Sequence, residues 1–253
     1  MSYSFYSPKR RSIFNRLRNE AWVTYAIAGF TTLVFIAQFL SELITGYDWP
    51  AVWGIKQNTL IVVYHQYWRL ITPVFLHAGL LHIGLNLWGL FVLGPTLEKL
   101  IGHWRFALLY FIAAYTGNVM SLAFTKAPSL GASTAIFGLL GAYLVIFYMN
   151  QPYLGEAARS TVTQALFWIL VNLVWSLQSG IDMWGHIGGL LGGMMFSVGG
   201  GPLWSDIGGK VYDYGAVYFA LRDHRPYRSV ILSAVATVVL FTIVAIVRYR
   251  VQM

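Results

Sequence analysis

Residues 182–193 of this 253-residue chain read DMWGHIGGLLGG, an apolar segment in which glycines recur at short intervals. On a helix, a four-residue spacing gathers glycines into ridges along one face. Two adjacent ridges result: Gly185, Gly189 and Gly193 form one, and Gly188 with Gly192 forms the other. Ridges of small residues let helix backbones approach closely inside a bilayer. The segment therefore predicts a tightly packed membrane helix.

A second segment carries small residues that match these ridges. Residues 131–142 read GASTAIFGLLGA and place Gly138, Gly141 and Ala142 on the same helix. We predict that the two helices contact each other directly. A glycine seam by itself requires no chemistry, so helix packing alone is the simpler interpretation of these glycines.

The composition of the whole chain is that of a membrane protein. Hydrophobic residues make up 57% and charged residues only 10% of the chain, against about 25% charged in soluble domains. The mean hydropathy is +0.61. The absence of cysteine excludes a disulfide, a thiolate metal site and a cysteine nucleophile. No phosphate-binding or dinucleotide motif is present, so we expect no cofactor. The net charge of +8 is interpreted as favouring a membrane surface, and not nucleic acid, as the partner.

Seven apolar segments are each about long enough to cross a bilayer as a helix. Their approximate ranges are 22–44, 72–95, 105–125, 129–149, 162–179, 182–200 and 229–247. The predicted fold class is therefore an all-α polytopic membrane protein.

The distribution of positive charge orients these spans. Five Lys and Arg residues precede the first span, so the basic segment 1–21 is predicted to be cytoplasmic. With seven alternating spans, 12 of the 17 basic residues then fall on the inside. The Trp- and Tyr-rich residues 45–72 predict an interfacial outer loop, and residues 201–228 predict a cytoplasmic linker. The organisation is thus a helical core over 22–200, the linker, and a seventh helix with its tail over 229–253.

Polar residues inside membrane spans are candidate functional sites, because each must find a partner or line a cavity. The second predicted span contains His77, His82 and Asn86. His82 and Asn86 are four residues apart and share one helix face, whereas His77 falls on another face. The pair offers hydrogen-bond donors. A metal site would need a third ligand, so no metal is predicted.

Ser133 and His186 lie near the outer ends of the fourth and sixth predicted spans, each about one turn in. An isolated serine in a membrane helix more often serves packing than catalysis. Here the two small-residue helices would bring a serine and a histidine of matched depth within hydrogen-bond reach. A nucleophile, a general base and nearby donors meet the requirements of acyl transfer. Asp182 precedes His186 by one turn and fits an N-cap better than a third catalytic residue.

The ordered set of motifs resembles the rhomboid family of intramembrane serine proteases from about residue 67 to residue 193. The matching residues are Trp68-Arg69, then His77, His82 and Asn86, then Gly131-Ala132-Ser133, and finally Gly185-His186 with its trailing glycines. The resemblance implies a six-helix core around a water-accessible cavity, plus the seventh helix found in some members.

The same resemblance implies roles for individual residues. Ser133 and His186 would be the catalytic dyad, and His82, Asn86 and the Ser133 amide would bind the oxyanion. Phe137 would pack on the catalytic histidine, and Gly131 of the nucleophile motif would also serve packing at the site. Trp68 and Arg69 would anchor the outer loop. Glu98, Gly102, Phe106 and Tyr110 would have structural roles. One departure is Thr134, where the family usually has glycine, which puts a β-branched side chain close to the oxyanion donors.

The resemblance implies cleavage of single-pass transmembrane proteins near the outer membrane face. The alternative is a catalytically inactive rhomboid-like protein that binds membrane clients, although such proteins are expected to lack the Ser or His. A seven-helix receptor or channel would need no dyad. A transporter would have broken helices or charged residues at mid-membrane, and the predicted spans show neither. We expect the lipid bilayer as the environment, a bacterial cytoplasmic membrane as the location and no nucleic-acid partner. The oligomeric state is left open.

Overall fold

The computed structural model describes residues 20–213 and 216–252. The predicted basic N-terminal segment therefore lies outside the described residues except for its last two positions. The helices are α1 (Trp22–Thr45), α2 (Trp49–Gly54), α3 (Asn58–Val62), α4 (Leu80–Ile101), α5 (His103–Phe124), α6 (Ser133–Met149), α7 (Gln151–Trp175), α8 (Met183–Gly200) and α9 (Tyr227–Gln252). Two 3₁₀ turns, Tyr67–Leu70 and Thr72–Phe75, precede α4.

Each predicted span overlaps one long helix of the described residues, although α7 begins at Gln151, before the predicted start at 162, and ends at Trp175. The chain is an all-α polytopic membrane protein. Within the described residues, four helices are long and apolar enough to cross a membrane: Trp22–Thr45, Leu80–Ile101, His103–Phe124 and Tyr227–Arg248. Ser133–Met149 is a shorter apolar helix. The predicted start of the second span at residue 72 was wrong, because Pro73 lies in a 3₁₀ turn and the helix begins only after the extended Gly79.

The helix α8 lies between α5 and α6, and its two glycine ridges face these two neighbours. A Cβ atom on Gly189 would lie 2.0 Å from the carbonyl oxygen of Thr134 in α6. On the other ridge, a Cβ atom on Gly192 would lie 2.0 Å from Oγ1 of Thr116 in α5. The predicted contact between the fourth and sixth spans is therefore confirmed. Both contacts require glycine, because even a methyl group would overlap the neighbouring helix.

The loop before α4 is held by Arg69, which is almost fully buried. Its guanidinium donates to the carbonyl oxygens of Val52 and Ile55, at 2.8 Å each, and to the Gln66 side chain at 2.7 Å. The neighbouring Trp68 indole donates to the Trp53 carbonyl at 3.0 Å. These bonds satisfy carbonyl groups at the end of the short helix α2 and join both halves of the loop.

The first turn of α1 is tied to the end of α4 by Glu98. Its buried carboxylate accepts from the backbone N–H groups of Val23 and Thr24, at 2.9 and 2.8 Å, and from the Thr24 hydroxyl at 2.6 Å. The His103 Nδ1 lies 2.5 Å from the same carboxylate. Glu98 therefore supplies acceptors to N–H groups that have no intrahelical partner.

A two-stranded antiparallel sheet lies within the segment that was predicted to be a linker. Its strands are β1 (Trp204–Asp213) and β2 (Ala216–Asp223). The Asp223 carboxylate joins the sheet to the helices by an ion pair with Arg105 of α5. Burial favours a higher pKa for Asp223, but hydrogen bonds from the Arg225 amide, the Arg105 side chain and the Leu203 amide outweigh it and lower the pKa.

Candidate active site

Ser133 is the first residue of α6. The preceding Ala132 supplies no side-chain cap, and the Ile136 N–H donates to the Ala132 carbonyl. The N–H groups of the first turn therefore lack intrahelical acceptors and lie at the positive end of the helix dipole. Because the helix begins four residues later than predicted, the half-buried Ser133 stands at the helix end and not one turn below it.

His186, in the first turn of α8, faces Ser133. The Nε2 atom of His186 lies 2.8 Å from the Ser133 Oγ. The Phe137 ring, one turn after Ser133, stacks on the imidazole with the centroids 4.3 Å apart and 11° between the planes. Both rings are buried. The structure thus places the serine and the histidine at hydrogen-bond distance, with the imidazole held against an aromatic ring.

Asp182 caps α8 and does not bond to the His186 ring. Its carboxylate accepts from the Gly185 N–H at 3.0 Å, which confirms the predicted N-cap. The same carboxylate accepts from the hydroxyl groups of Ser121 and Thr125 at the end of α5 and just beyond it. Asp182 therefore joins the C-terminal end of α5 to the N-terminal end of α8.

His82 lies against the backbone beside Ser133. Its Nδ1 accepts from the Ala78 N–H at 3.3 Å, so the neutral ring carries its proton on Nε2. A Cβ atom on Gly131 would lie 2.7 Å from this Nε2 and 3.7 Å from the Ser133 Oγ. Gly131 has a φ of +126°, and its N–H donates to the Pro73 carbonyl at 2.9 Å. Position 131 therefore requires glycine both for its conformation and for the close approach of His82.

The prediction that His77 points away from His82 was wrong. The helix α4 begins at Leu80, so the helical angle between positions 77 and 82 does not apply. The two imidazole rings lie 5.0 Å apart between centroids, and the His77 Nε2 lies 3.4 Å from the Ala132 N–H. Gln38 of α1 holds the backbone of His77 by two hydrogen bonds.

Asn86 lies one turn after His82 on α4 and is buried. Its Nδ2 donates to the His82 carbonyl at 2.8 Å. A side-chain amide has two N–H groups, and this bond uses one of them. Within the described part of the chain, no group of three or more His, Asp or Glu side chains is arranged to hold a metal ion.

Ser176 is a site residue that the sequence analysis missed. Its Oγ lies 2.6 Å from the His186 Nδ1, on the side of the ring opposite Ser133. Ser176 follows the last residue of α7, and its hydroxyl also donates to the Asn172 carbonyl at 2.7 Å. Helical periodicity does not relate Ser176 to His186, because residues 177–182 between them form a non-helical loop.

The side chain of Thr134 packs into the seam between helices. A Cβ atom on Gly117 of α5 would lie 2.6 Å from the Thr134 Cβ, and one on Gly185 would lie 3.2 Å from its Cγ2. The Thr134 Oγ1 is buried and has no hydrogen-bond partner. The space left by two glycines on neighbouring helices therefore accommodates the β-branched side chain that the sequence analysis placed close to the oxyanion donors.

Comparison with known proteins agrees with this architecture. The family model for the rhomboid domain matches residues 64–202, a range that includes every site residue described above except Gln38. The chain therefore belongs to the rhomboid family and is an integral membrane protein.

Several relatives are named proteases. The chain is 37% identical over 171 residues to the rhomboid protease GluP of Bacillus subtilis (strain 168), a match covering 67% of this chain and 33% of GluP. It is 33% identical over 148 residues to the chloroplastic RHOMBOID-like protein 9 of Arabidopsis thaliana, covering 58% of this chain and 34% of the plant protein. It is 32% identical over 190 residues to YdcA of the same Bacillus, a candidate rhomboid protease, covering 72% and 94%. The chain thus spans about a third of the first two relatives and nearly all of YdcA. The named relatives support a rhomboid-type intramembrane protease at the level of the family.

Proposed function

We propose that this protein is an intramembrane serine endopeptidase in which Ser133 is the nucleophile and His186 is the general base. The observation that carries the proposal is the 2.8 Å distance between the His186 Nε2 and the Ser133 Oγ. The two residues come from different helices whose N-terminal ends lie side by side. A serine is a weak nucleophile until a base accepts its proton, and this geometry provides that base.

The reaction follows from the contact between the His186 Nε2 and the Ser133 Oγ. The Ser133 Oγ attacks the carbonyl carbon of the scissile peptide bond while its proton passes to the His186 Nε2. The tetrahedral intermediate then collapses, the C–N bond breaks, and His186 returns the proton to the leaving amine. Water, activated by the same Nε2, hydrolyses the acyl-enzyme and regenerates Ser133.

We propose three donors that would stabilise the oxyanion of the tetrahedral intermediate. These are the Ser133 N–H at the start of α6, the His82 Nε2–H and the Asn86 amide. A helix N-terminus favours negative charge, and donors fixed in advance need not reorganise during the reaction. Gly131 lets the His82 ring approach the nucleophile, and Trp68 with Arg69 stabilises the outer loop above the site.

The substrates would be single-pass transmembrane proteins. In the predicted orientation the N-terminus is cytoplasmic, and the N-terminal ends of α6 and α8 face outside. Cleavage would then take place near the outer face of the membrane, which we propose is a bacterial cytoplasmic membrane. The peptide bonds of a transmembrane helix are hydrogen-bonded and shielded, so a substrate segment must unwind before Ser133 reaches it.

The test is cleavage of a model single-pass substrate in liposomes, with products mapped by mass spectrometry. We expect wild-type protein to cut, and both Ser133→Ala and His186→Ala to lose at least about a thousandfold in rate. Ser197→Ala is the matched control, because Ser197 is buried on α8 and its Oγ has no partner. Folding of each variant is checked by thermal unfolding.

Two outcomes would contradict the proposal. Cleavage by Ser133→Ala at the wild-type rate would show that another group is the nucleophile. Folded wild-type protein that binds transmembrane peptides but cuts none of them would favour a client-binding rhomboid-like protein.

A further inference from the structure

The structure assigns to Ser176 the role of a positioning residue that keeps the proton of His186 on Nδ1 and leaves Nε2 free to accept from Ser133. This inference rests on the proposed function, because it concerns the protonation state that a general base needs. Ser176 contacts His186 and not the reacting atoms.

Three short contacts connect Ser133 to the Asn172 carbonyl through His186 and Ser176. The Ser133 Oγ lies 2.8 Å from the His186 Nε2, the His186 Nδ1 lies 2.6 Å from the Ser176 Oγ, and the Ser176 Oγ lies 2.7 Å from the Asn172 carbonyl oxygen. Ser176 is 2% exposed and His186 is 8% exposed. Bulk water therefore does not compete for the contact between Ser176 and the His186 Nδ1.

The direction of the hydrogen bonds follows from the last contact. A carbonyl oxygen only accepts, so the single hydroxyl proton of Ser176 is donated to Asn172. The Ser176 Oγ then has lone pairs left for an N–H on the His186 Nδ1. With Nδ1 protonated, Nε2 of the neutral ring is an acceptor, and the Ser133 hydroxyl donates to it.

The opposite arrangement leaves one contact unsatisfied. If Ser176 donated to Nδ1, the ring proton would lie on Nε2 and point at the Ser133 Oγ. The Ser176 Oγ and the Asn172 carbonyl oxygen would then lie 2.7 Å apart with no hydrogen between them. Two oxygens at this distance repel each other unless a proton lies between them. The first arrangement forms three hydrogen bonds where the second forms two.

The usual third group of a catalytic triad is engaged elsewhere. The Asp182 carboxylate accepts from Gly185, Ser121 and Thr125. The stacked Phe137 restrains the plane of the His186 ring but offers no acceptor at its edge. Ser176 is therefore the group that selects between the two neutral forms of the ring.

The experiment measures the protonation of His186 and the kinetics of Ser176 variants separately. Protein with ¹⁵N-labelled histidine is studied by NMR at a pH where the ring is neutral, and the His186→Ala spectrum identifies the His186 signals among the six histidines. We expect the wild-type proton on Nδ1. In Ser176→Ala the Nδ1-protonated fraction should fall, kcat should drop about tenfold, and KM should change less than about twofold. Ser176→Thr, which keeps the hydroxyl, should restore both readouts.

A control is Ser160→Ala, at an exposed serine of the preceding helix α7, which should change neither readout. A wild-type ring protonated on Nε2 would overturn the inference without any variant being needed. Ser176→Ala with an unchanged spectrum would also overturn it, because the loss would then be structural. Failure of the proposed function is seen differently, as cleavage that survives Ser133→Ala.

Discussion

His186 stands on α8 and its contact Ser176 directly follows α7, yet these two helices are packed very differently. The helix α8 lies between α5 and α6, with glycines directly against neighbouring backbone. The helix α7 presents large apolar side chains outward, among them Phe167, Leu170, Val174 and Trp175, each more than half exposed. Apolar surface facing lipid costs little, whereas backbone contact at van der Waals distance allows no enlargement. His186 and Ser133 thus lie at the close-packed seam, whereas the buried Ser176 follows a helix whose large apolar side chains are mostly exposed.

The largest expected effect is at the seam between α6 and α8. Gly189→Leu should lower the free energy of unfolding by about 3 kcal/mol or more, because its Cβ would overlap the Thr134 carbonyl oxygen. Thermal unfolding in detergent measures the change. Gly29→Leu is the control, since nothing lies within 4 Å of a Cβ atom at Gly29 on α1. Equal melting temperatures for the two variants would refute the difference in packing.

A second effect concerns Lys56, a buried residue of the loop between α2 and α3 that lies near Asp182 at the N-terminal end of α8. Burial lowers the pKa of Lys56 from 10.5 to about 8, and the Asp182 charge opposes this only in part. The unfolded state therefore binds more protons between these two values, so stability should rise with pH across this range. The gain reaches at most about 3 kcal/mol.

The measurement for Lys56 is the melting temperature between pH 7.5 and pH 10.5, taken at about half-unit steps. Lys56→Met should remove the part of the pH dependence that Lys56 contributes. Lys126→Met, at an exposed lysine of the loop between α5 and α6, serves as the control and should leave the slope unchanged. If the melting temperature of Lys56→Met rose with pH as steeply as that of the wild type, Lys56 would not be the source of the pH dependence.

The smallest effect is expected on the lipid-facing side of α7. Leu170→Ala should change the free energy of unfolding by less than about 0.5 kcal/mol, because the side chain is 64% exposed. Leu139→Ala, at a fully buried position of α6, should cost about 2–5 kcal/mol. Similar losses for both leucines would mean that α7 is as tightly packed as α6 in the membrane.

Several features of the fold were predictable because they depend on local patterns. The spans follow from runs of apolar residues, and the contact between α6 and α8 follows from small residues at four-residue spacing. The helix starts were harder to predict. The apolar segments that begin near residues 72 and 129 have no α-helical backbone at first, because Pro73 lies in a 3₁₀ turn and Gly131 has a positive φ. The sheet within 201–228 was missed, since no alternating apolar pattern marks its strands.

The amino-acid sequence alone was sufficient for the membrane class, the rhomboid resemblance and the choice of Ser133 and His186 as candidates, because each rests on residue type and spacing along the chain. Only the tertiary structure brought His77 next to His82, directed Thr134 into the space beside Gly117, and placed Ser176 at the His186 Nδ1. These contacts join residues on different helices or across loops. Their geometry depends on how closely the helices pack, a property that no periodicity within one segment encodes.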